Sequence, residues 1–438
     1  MTVVFKIQTL LVLSLSTAFA QADDWSRFRG PNGTGIADGD TSAVPLKWSD
    51  TENLKWKTAL PGPGSSSPIV WGDRVYVTCY TGYGDGSEGG KLADLKRHLI
   101  ALNRADGKIL WTKVIAADAA IEDPYESFIT EHGYASHTPV TDGERVFCFF
   151  GKSGVFAFDR EGRQLWQQAV YRLPSNKKWG SASSPVLHQG KVIVKAGDEA
   201  LAVFAFDAES GKKLWEIGDE GLDQHYGTPV FDQVNDTRTD LILAVNGKIS
   251  GIDPVTGDTR WFSKMGLVGG MTSSPVVSGD KMVLLGGFPK TKGSAFRLGL
   301  SGDVSAQAPL WENGKVKTYM TTPIVHDGRL YYIREEGIAC CADPESGELI
   351  YAERIEGAAL GSTGKGNPFY ASPVLVKGHL LAVSRTAGTF VFEAKLEYKL
   401  VGINKLEGDK SRFQGTPAVS GGQIFLRSDE AVYCIGGQ

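Results

Sequence analysis

The sequence predicts an all-β chain, an eight-bladed β-propeller of four-stranded antiparallel blades closed by an N-terminal strand that completes the last blade. Three observations predict it. A Ser-Pro or Thr-Pro pair followed by an apolar run recurs eight times; a turn block of fixed spacing follows most of these pairs; and a Trp-bearing strand stands alone ahead of the first pair. The 54 glycines among 438 residues suit short strands joined by tight turns.

The elements follow in chain order. Residues 1–20 read as a signal peptide: Lys6 is the single charge, the run from Ile7 to Ala18 is short for a bilayer span, and Ala18-Phe19-Ala20 is a small-x-small cleavage site. A retained anchor is the other reading of that run. No cysteine follows the cleavage site, so a lipid anchor is not expected. Residues 21–45, with Trp25, Phe28 and the Gly-rich run Pro31 to Gly35, read as an irregular leader that drapes over the domain. Residues 46–438 are read as the propeller, beginning with the strand around Trp56. Helix should be scarce, with a short turn near Ala116 to Ile121 as its best candidate.

The repeating prolines are Pro68, Pro139, Pro185, Pro229, Pro275, Pro323, Pro373 and Pro417. After a first spacing of 71, the spacings run from 44 to 50, the length of a four-stranded blade. The turn block is clearest at Ala205, Asp207, Gly211 and Trp215. It recurs at Ala101, Asn103, Gly107 and Trp111, at Gly251, Asp253, Gly257 and Trp261, and at Cys341, Asp343, Gly347 and Tyr351. A copy one residue shorter is Ala157, Asp159, Gly162 and Trp166. Blades five and seven keep only parts, around Trp311 and around Phe392-Glu393. The Asp accepts backbone N–H groups across the turn, and the Gly supplies positive φ. The small residue lets sheets approach. The Trp packs into the next blade, burying about 2–3 kcal/mol of side chain. Trp56, Trp111, Trp166, Trp215, Trp261 and Trp311, with Asp207 and Gly211, are thus structural. Closure by Trp56 and its strand would remove the two open sheet edges.

A formal net charge of −4 gives no footprint for nucleic acid or anionic lipid. Five cysteines, an odd number in so long a chain, do not make a disulfide scaffold. Asp232, Asn235, Asp236 and Asp240 match no calcium loop. Glu131, His132 and His137 match no strong zinc pattern, so no metal site is expected.

The block Ala-x-Asp-x-x-x-Gly-x-x-x-Trp resembles the tryptophan-docking repeat of the pyrroloquinoline-quinone (PQQ) repeat family. It is similar both to quinoprotein alcohol dehydrogenase propellers and to the BamB-type outer-membrane assembly propeller. The quinoprotein resemblance implies PQQ and calcium, a Glu, Asn and Asp ligand set, an Asp base, and a ring stacked between a Trp and a vicinal disulfide. Cys340 and Cys341 are adjacent but lie in a strand run, where successive side chains face opposite ways and do not join. The BamB resemblance implies a scaffold role. Fold alone does not carry function.

Ligands of propellers meet the face formed by the loops before each inner strand and the loops between the second and third strands. The first set carries Tyr134, Trp179, Tyr226, Tyr319, Phe369, Tyr370 and Phe413, with Glu131, His132, His137, His225 and Arg412. The second carries Lys152, Lys195, Arg334, Arg385 and Arg427. Aromatic walls with convergent cations suit a polar or anionic ligand, such as a glycan or a peptide carboxylate. The long segments 82–98 and 116–137 should wall one side of this funnel. The expected function is a non-catalytic binding or scaffold protein without a cofactor, periplasmic or extracellular, monomeric, and holding a protein or small polar ligand. The alternatives are a PQQ- and calcium-dependent alcohol dehydrogenase and a glycan-acting hydrolase or lyase.

Overall fold

Eight sheets form a ring in the computed structural model of the chain, which describes residues 24–307, 309–358 and 366–437. Blade one shows the pattern: Ile69–Trp71 innermost, then Arg74–Thr81, Lys96–Asn103 and Ile109–Ala116 outermost. The eighth sheet takes three strands from Ala418–Ser420, Gln423–Arg427 and Ala431–Gly436, and its outer strand from Leu54–Ala59. Trp56 stands opposite Cys434 and Ala59 opposite Ala431 in that antiparallel pair. The signal-peptide reading of residues 1–20, and the first residues of the leader, lie outside the described residues.

The turn block explains how each blade is fastened to the next. The small residue of the block lies directly across the sheet from the Trp: Ala101 opposite Trp111, Ala157 opposite Trp166, Ala205 opposite Trp215, and Cys434 opposite Trp56. A register shift beside each of the first three small residues tilts the outer strand. The indole then reaches the turn of the following blade. Trp56 Nε1 donates to Arg104 O (2.9 Å), Trp111 to Arg160 O (2.9 Å), Trp166 to Ala208 O (3.1 Å), Trp215 to Pro254 O (3.1 Å) and Trp311 to Pro344 O (2.9 Å). The turn Gly lies under that ring. At Gly211, φ is +71° and a Cβ would come 2.6 Å from Trp166, so two separate constraints demand glycine there. Asp207 Oδ1 accepts from Ser210 N–H (2.8 Å) and holds the turn.

Trp261 departs from this scheme. Blade five has no complete turn block to receive it, and its Nε1 donates instead to Asp240 Oδ2 within its own blade, at 3.0 Å. Arg238 and Arg260 hold the same carboxylate, at 2.7 and 2.6 Å. Blade four also gains a short fifth strand, Gly302–Asp303, parallel to Thr259–Lys264. The expected turn near Ala116 to Ile121 is a non-helical turn starting at Asp118. One-turn helices occur instead at Ile129–His132 and Gly197–Ala200, each at a loop of the funnel face.

The leader crosses the ring on the face opposite the funnel. Trp25 exchanges both backbone hydrogen bonds with Val70 of blade one (2.9 Å each), and Ser26 O accepts from Thr141 N–H of blade two (3.0 Å). The chain reaches blade seven at Leu375, whose N–H donates to Gly35 O and whose carbonyl accepts from Ala37 N–H. Between these anchors Arg29, 1 % exposed, donates to the carbonyls of Thr322, Pro323 and Pro373, and to those of Gly33 and Thr34 in its own loop. Among the described residues no helix is long and apolar enough to cross a membrane.

Candidate functional site

The repeat builds the funnel through the two-residue period of the inner strands. The residue just before each proline is Ser67, Thr138, Ser184, Thr228, Ser274, Thr322, Ser372 or Thr416, and all eight line one central cavity. The residue two positions earlier is Ser65, Ser136, Ala182, Tyr226, Thr272, Met320, Tyr370 or Gln414, and these eight line it too. The residue between them points sideways into the seam between blades.

The first set forms a hydrogen-bonded ring. Thr138 Oγ1 accepts the backbone N–H of Ser67, Ser184 Oγ that of Thr138, and so on round to Thr416 Oγ1 and Ser372 N–H, at 2.9–3.1 Å. Seven junctions carry this bond. At the eighth, Arg427 bridges blade eight to blade one, donating to Thr78 O (2.8 Å) and Ser66 Oγ (3.2 Å). The hydroxyl is thus required at that position, and the proline after it has no N–H to leave unpaired.

The cavity measures about 480 Å³, and Phe28 of the leader lies at its base. This is within the ~300–1,000 Å³ of small-ligand sites. The walls carry Phe128, Trp179, Tyr226, Phe288, Tyr319 and Tyr370. Phe128 meets Trp179 edge-on, with ring centroids 4.7 Å apart. Burial raises the pKa of the Tyr319 and Tyr370 hydroxyls, with Glu335 adding to both and Glu131 to Tyr370.

Six of the residues singled out from sequence line this cavity: Glu131, His132, Trp179, Tyr226, Tyr319 and Tyr370. His132 is held at both ring nitrogens, with Trp179 O at 2.7 Å and Ser136 Oγ at 2.6 Å. Burial lowers its pKa, so its neutral ring donates from Nε2 and accepts from Ser136 at Nδ1.

The others lie elsewhere. Tyr134 packs edge-on against Tyr80, its hydroxyl donating to Asp123 O (2.8 Å). His137 occupies the sideways position of its inner strand, and His225 is buried behind the wall. Phe413 stacks on Tyr433, 5.9 Å between centroids. The arginines are committed within the protein. Arg385 pairs with Glu131 (2.9 Å) beneath the Tyr370 ring (4.4 Å). Arg412 pairs with Asp429 (2.8 Å), Arg334 donates to Lys315 O (2.6 Å), and Arg427 is the bridge already described. Lys152 is buried against Asp123 (2.7 Å), and Lys195 donates to Gly227 O, burial depressing its pKa to about 7. The charged side chains of the described lining are therefore Glu131 and Glu335, not the convergent cations expected from the sequence. Phe128, Phe288, Glu335, Asn367 and Gln414 also line the cavity and escaped the sequence reading, as does Phe28, read there only as part of the leader. Counting back three residues from each proline finds Gln414; the others belong to loops without a period.

Behind the wall a hollow of about 30 Å³ holds Asp123, His137, Lys152, Ser181, Asp198 and Glu199. Ser181 bridges His137 Nε2 (2.9 Å) and Glu199 Oε1. Burial raises the carboxyl of Glu199, with Asp198 adding to the effect, and lowers His137 to about 3. The folded state therefore keeps a proton on Glu199 above the ordinary carboxylate range. Folding stability falls as pH climbs from that range through the raised pKa. Glu199→Gln removes this penalty and keeps an oxygen for Ser181. The melting temperatures of variant and wild type are expected to coincide near pH 4.5 and to separate by pH 8, the variant being higher. A difference independent of pH would refute the assignment.

Of the features that the quinoprotein resemblance implies, the vicinal disulfide is not formed. Cys340 and Cys341 are free, buried neighbours in the strand Ile338–Ala342. Among the described residues no three His, Cys, Asp or Glu side chains converge as metal ligands.

A family model described as "Outer membrane protein assembly factor BamB" matches residues 32–181 and 95–353. A polyvinylalcohol dehydrogenase of a Pseudomonas species is 24 % identical over 400 residues, covering 77 % of this chain and 52 % of its own length, so the chain spans about half of that relative. The outer membrane protein assembly factor BamB of Escherichia coli (strain K12) is 23 % identical over 335 residues, covering 74 % of this chain and 71 % of its own. Among solved structures, BamB from Moraxella catarrhalis superposes with a TM-score of 0.58 at 12 % identity, covering 88 % of this chain and 97 % of that one. Quinohemoprotein alcohol dehydrogenase from Comamonas testosteroni gives 0.59 at 12 % identity, covering 95 % and 81 %. At such identity the structures establish the fold alone.

Proposed function

The chain belongs to the family of the outer membrane protein assembly factor BamB, and from that premise we propose that it is a non-catalytic binding or scaffold propeller of the periplasm or cell exterior, working as a monomer. The observation that carries this reading is the composition of the cavity. Its walls are aromatic and hydroxylic, and two of its titratable side chains are held within the protein: Glu131 by Arg385 and His132 at both nitrogens. Such a site is suited to holding a molecule. The funnel residues Glu131, His132, Trp179, Tyr226, Tyr319 and Tyr370 are proposed as the ligand contacts. Arg385 acts behind them by fixing Glu131 and Tyr370.

The likeness to a polyvinylalcohol dehydrogenase supports a second reading, an oxidoreductase using PQQ and calcium. One titration separates the two. The purified mature chain is mixed with PQQ and calcium while quinone absorbance and dye-linked alcohol oxidation are followed. The expected result is no saturable quinone spectrum and no turnover. Stoichiometric binding with alcohol oxidation would overturn the scaffold reading. Fractionation of expressing cells should place a chain beginning at Gln21 in the periplasm or the medium; recovery in the cytoplasm would refute the proposed location.

A further inference from the structure

We propose that the funnel receives the end of a neutral saccharide, an inference that rests on the binding reading above and names its ligand chemistry. An anionic ligand needs a cation, and the described lining holds no Lys or Arg; the arginines behind it turn to Glu131, Asp429 and backbone carbonyls. What remains on the wall is the opposite charge. Glu335 lines the cavity and has no ion-pair partner among the described residues. Its Oε2 accepts from Thr318 Oγ1 (2.9 Å) and Tyr319 N–H (3.0 Å), and its other oxygen has no hydrogen-bond donor among the described residues.

Gln414 supplies the second observation. It is 7 % exposed, lines the cavity, and has no hydrogen-bond partner at either amide atom. A buried primary amide left unpaired is costly, and it offers one acceptor edge beside a pair of donors. Vicinal hydroxyls match that edge, since each both donates and accepts. The ring of Ser and Thr hydroxyls below offers the same chemistry. Seven of these oxygens accept a neighbour's N–H and keep their own hydrogen for a molecule above them.

The third observation is the wall itself. Tyr226, Tyr319, Tyr370 and Trp179 present flat apolar surface around a polar floor. A pyranose has the complementary construction: C–H groups on its faces and hydroxyls at its rim. A carboxylate that accepts from hydroxyls, an unpaired amide and aromatic platforms together fit a sugar without charge. They leave a uronate, a sulfate or a peptide C-terminus facing Glu335 with no cation of the described lining to neutralise it. Because Phe28 lies at the base, only the end of a longer glycan is accommodated.

The test uses the mature chain. Neutral tri- and tetrasaccharides of glucose, galactose, mannose and N-acetylglucosamine are titrated by calorimetry and tryptophan fluorescence. Uronate- and sulfate-bearing counterparts and an Arg/Lys-rich peptide are run beside them. At least one neutral saccharide is expected to bind one-to-one, and Tyr370→Ala to weaken it about tenfold or more. Gln414→Leu should abolish or strongly weaken binding while leaving the melting temperature equal or higher, because it removes an unpaired buried amide. A merely structural Gln414 would instead lower the melting temperature. Failure of every neutral saccharide at millimolar concentration overturns the inference. So does preference for the acidic glycans or the peptide; if that binding is lost in Tyr370→Ala, the binding reading itself stands. Stoichiometric quinone binding with turnover overturns both.

Discussion

Replacing Trp215 with alanine is expected to lower the free energy of unfolding by about 3–5 kcal/mol, the range for truncating a large buried aromatic. The indole is 8 % exposed and belongs to two blades at once. It grows from the outer strand of blade three, lies opposite Ala205, and covers the turn of blade four, where a Cβ on Gly257 would come 3.0 Å from it. The surrounding backbone is held in sheet ladders, so it does not collapse into the space left behind. The Pro254 carbonyl also loses its donor. Trp215→Phe should cost less, because it keeps part of the packing and removes chiefly the hydrogen bond. Chemical denaturation of both variants measures this, and a midpoint for the alanine variant equal to wild type would refute the clamp.

Arg29→Ala is expected to cost roughly 2–4 kcal/mol and to free the leader. Its guanidinium joins five carbonyls, three of them from blades six and seven, with no carboxylate near enough to pair. Burial opposes its charge and lowers its pKa to about 9, which offsets part of what the hydrogen bonds contribute. The net loss still falls on one short stretch of chain, whose other anchors are a few backbone bonds at Trp25, Ser26, Gly35 and Ala37. Arg29→Lys should fail to restore it, since an ammonium lacks the planar fork that reaches several carbonyls together. Limited proteolysis should cut the variant within residues 24–37 while the ring stays intact, and the melting temperature should fall. Equal resistance of variant and wild type would show that Arg29 does not fasten the leader.

The ring of blades was legible because it repeats. Eight Ser/Thr-Pro pairs and the turn block mark strands, turns and clamps by position, and the strand around Trp56 had no other sheet to join. The hydrogen bond of Trp261 was not legible by the same logic: it is buried in one apolar cluster with Met282, Leu284 and Phe296 of blade five, but that blade lacks the turn that would accept its N–H. The funnel was read with less accuracy for two physical reasons. Proximity to a proline drew attention to His137, which the pleat turns into the seam between blades, and to Tyr134, which packs on Tyr80 instead. The arginines looked like ligand cations because a sequence does not show which backbone carbonyls are left to satisfy; Arg427 closes the eighth seam and Arg385 lies beneath Tyr370. The path of the leader has no period at all. Only the landing sites on Val70 and Leu375, far apart in the chain, show that it crosses the ring.

The position of Phe28 has a consequence for exchange. With Phe28 on the lining and the leader anchored across the far face, arrival and departure are expected to share one doorway. Two different solutes must then displace one another rather than pass in file, and occupancy should saturate at one per chain. The protein is built as a socket, and nothing can be handed through it along the axis while the leader stays in place.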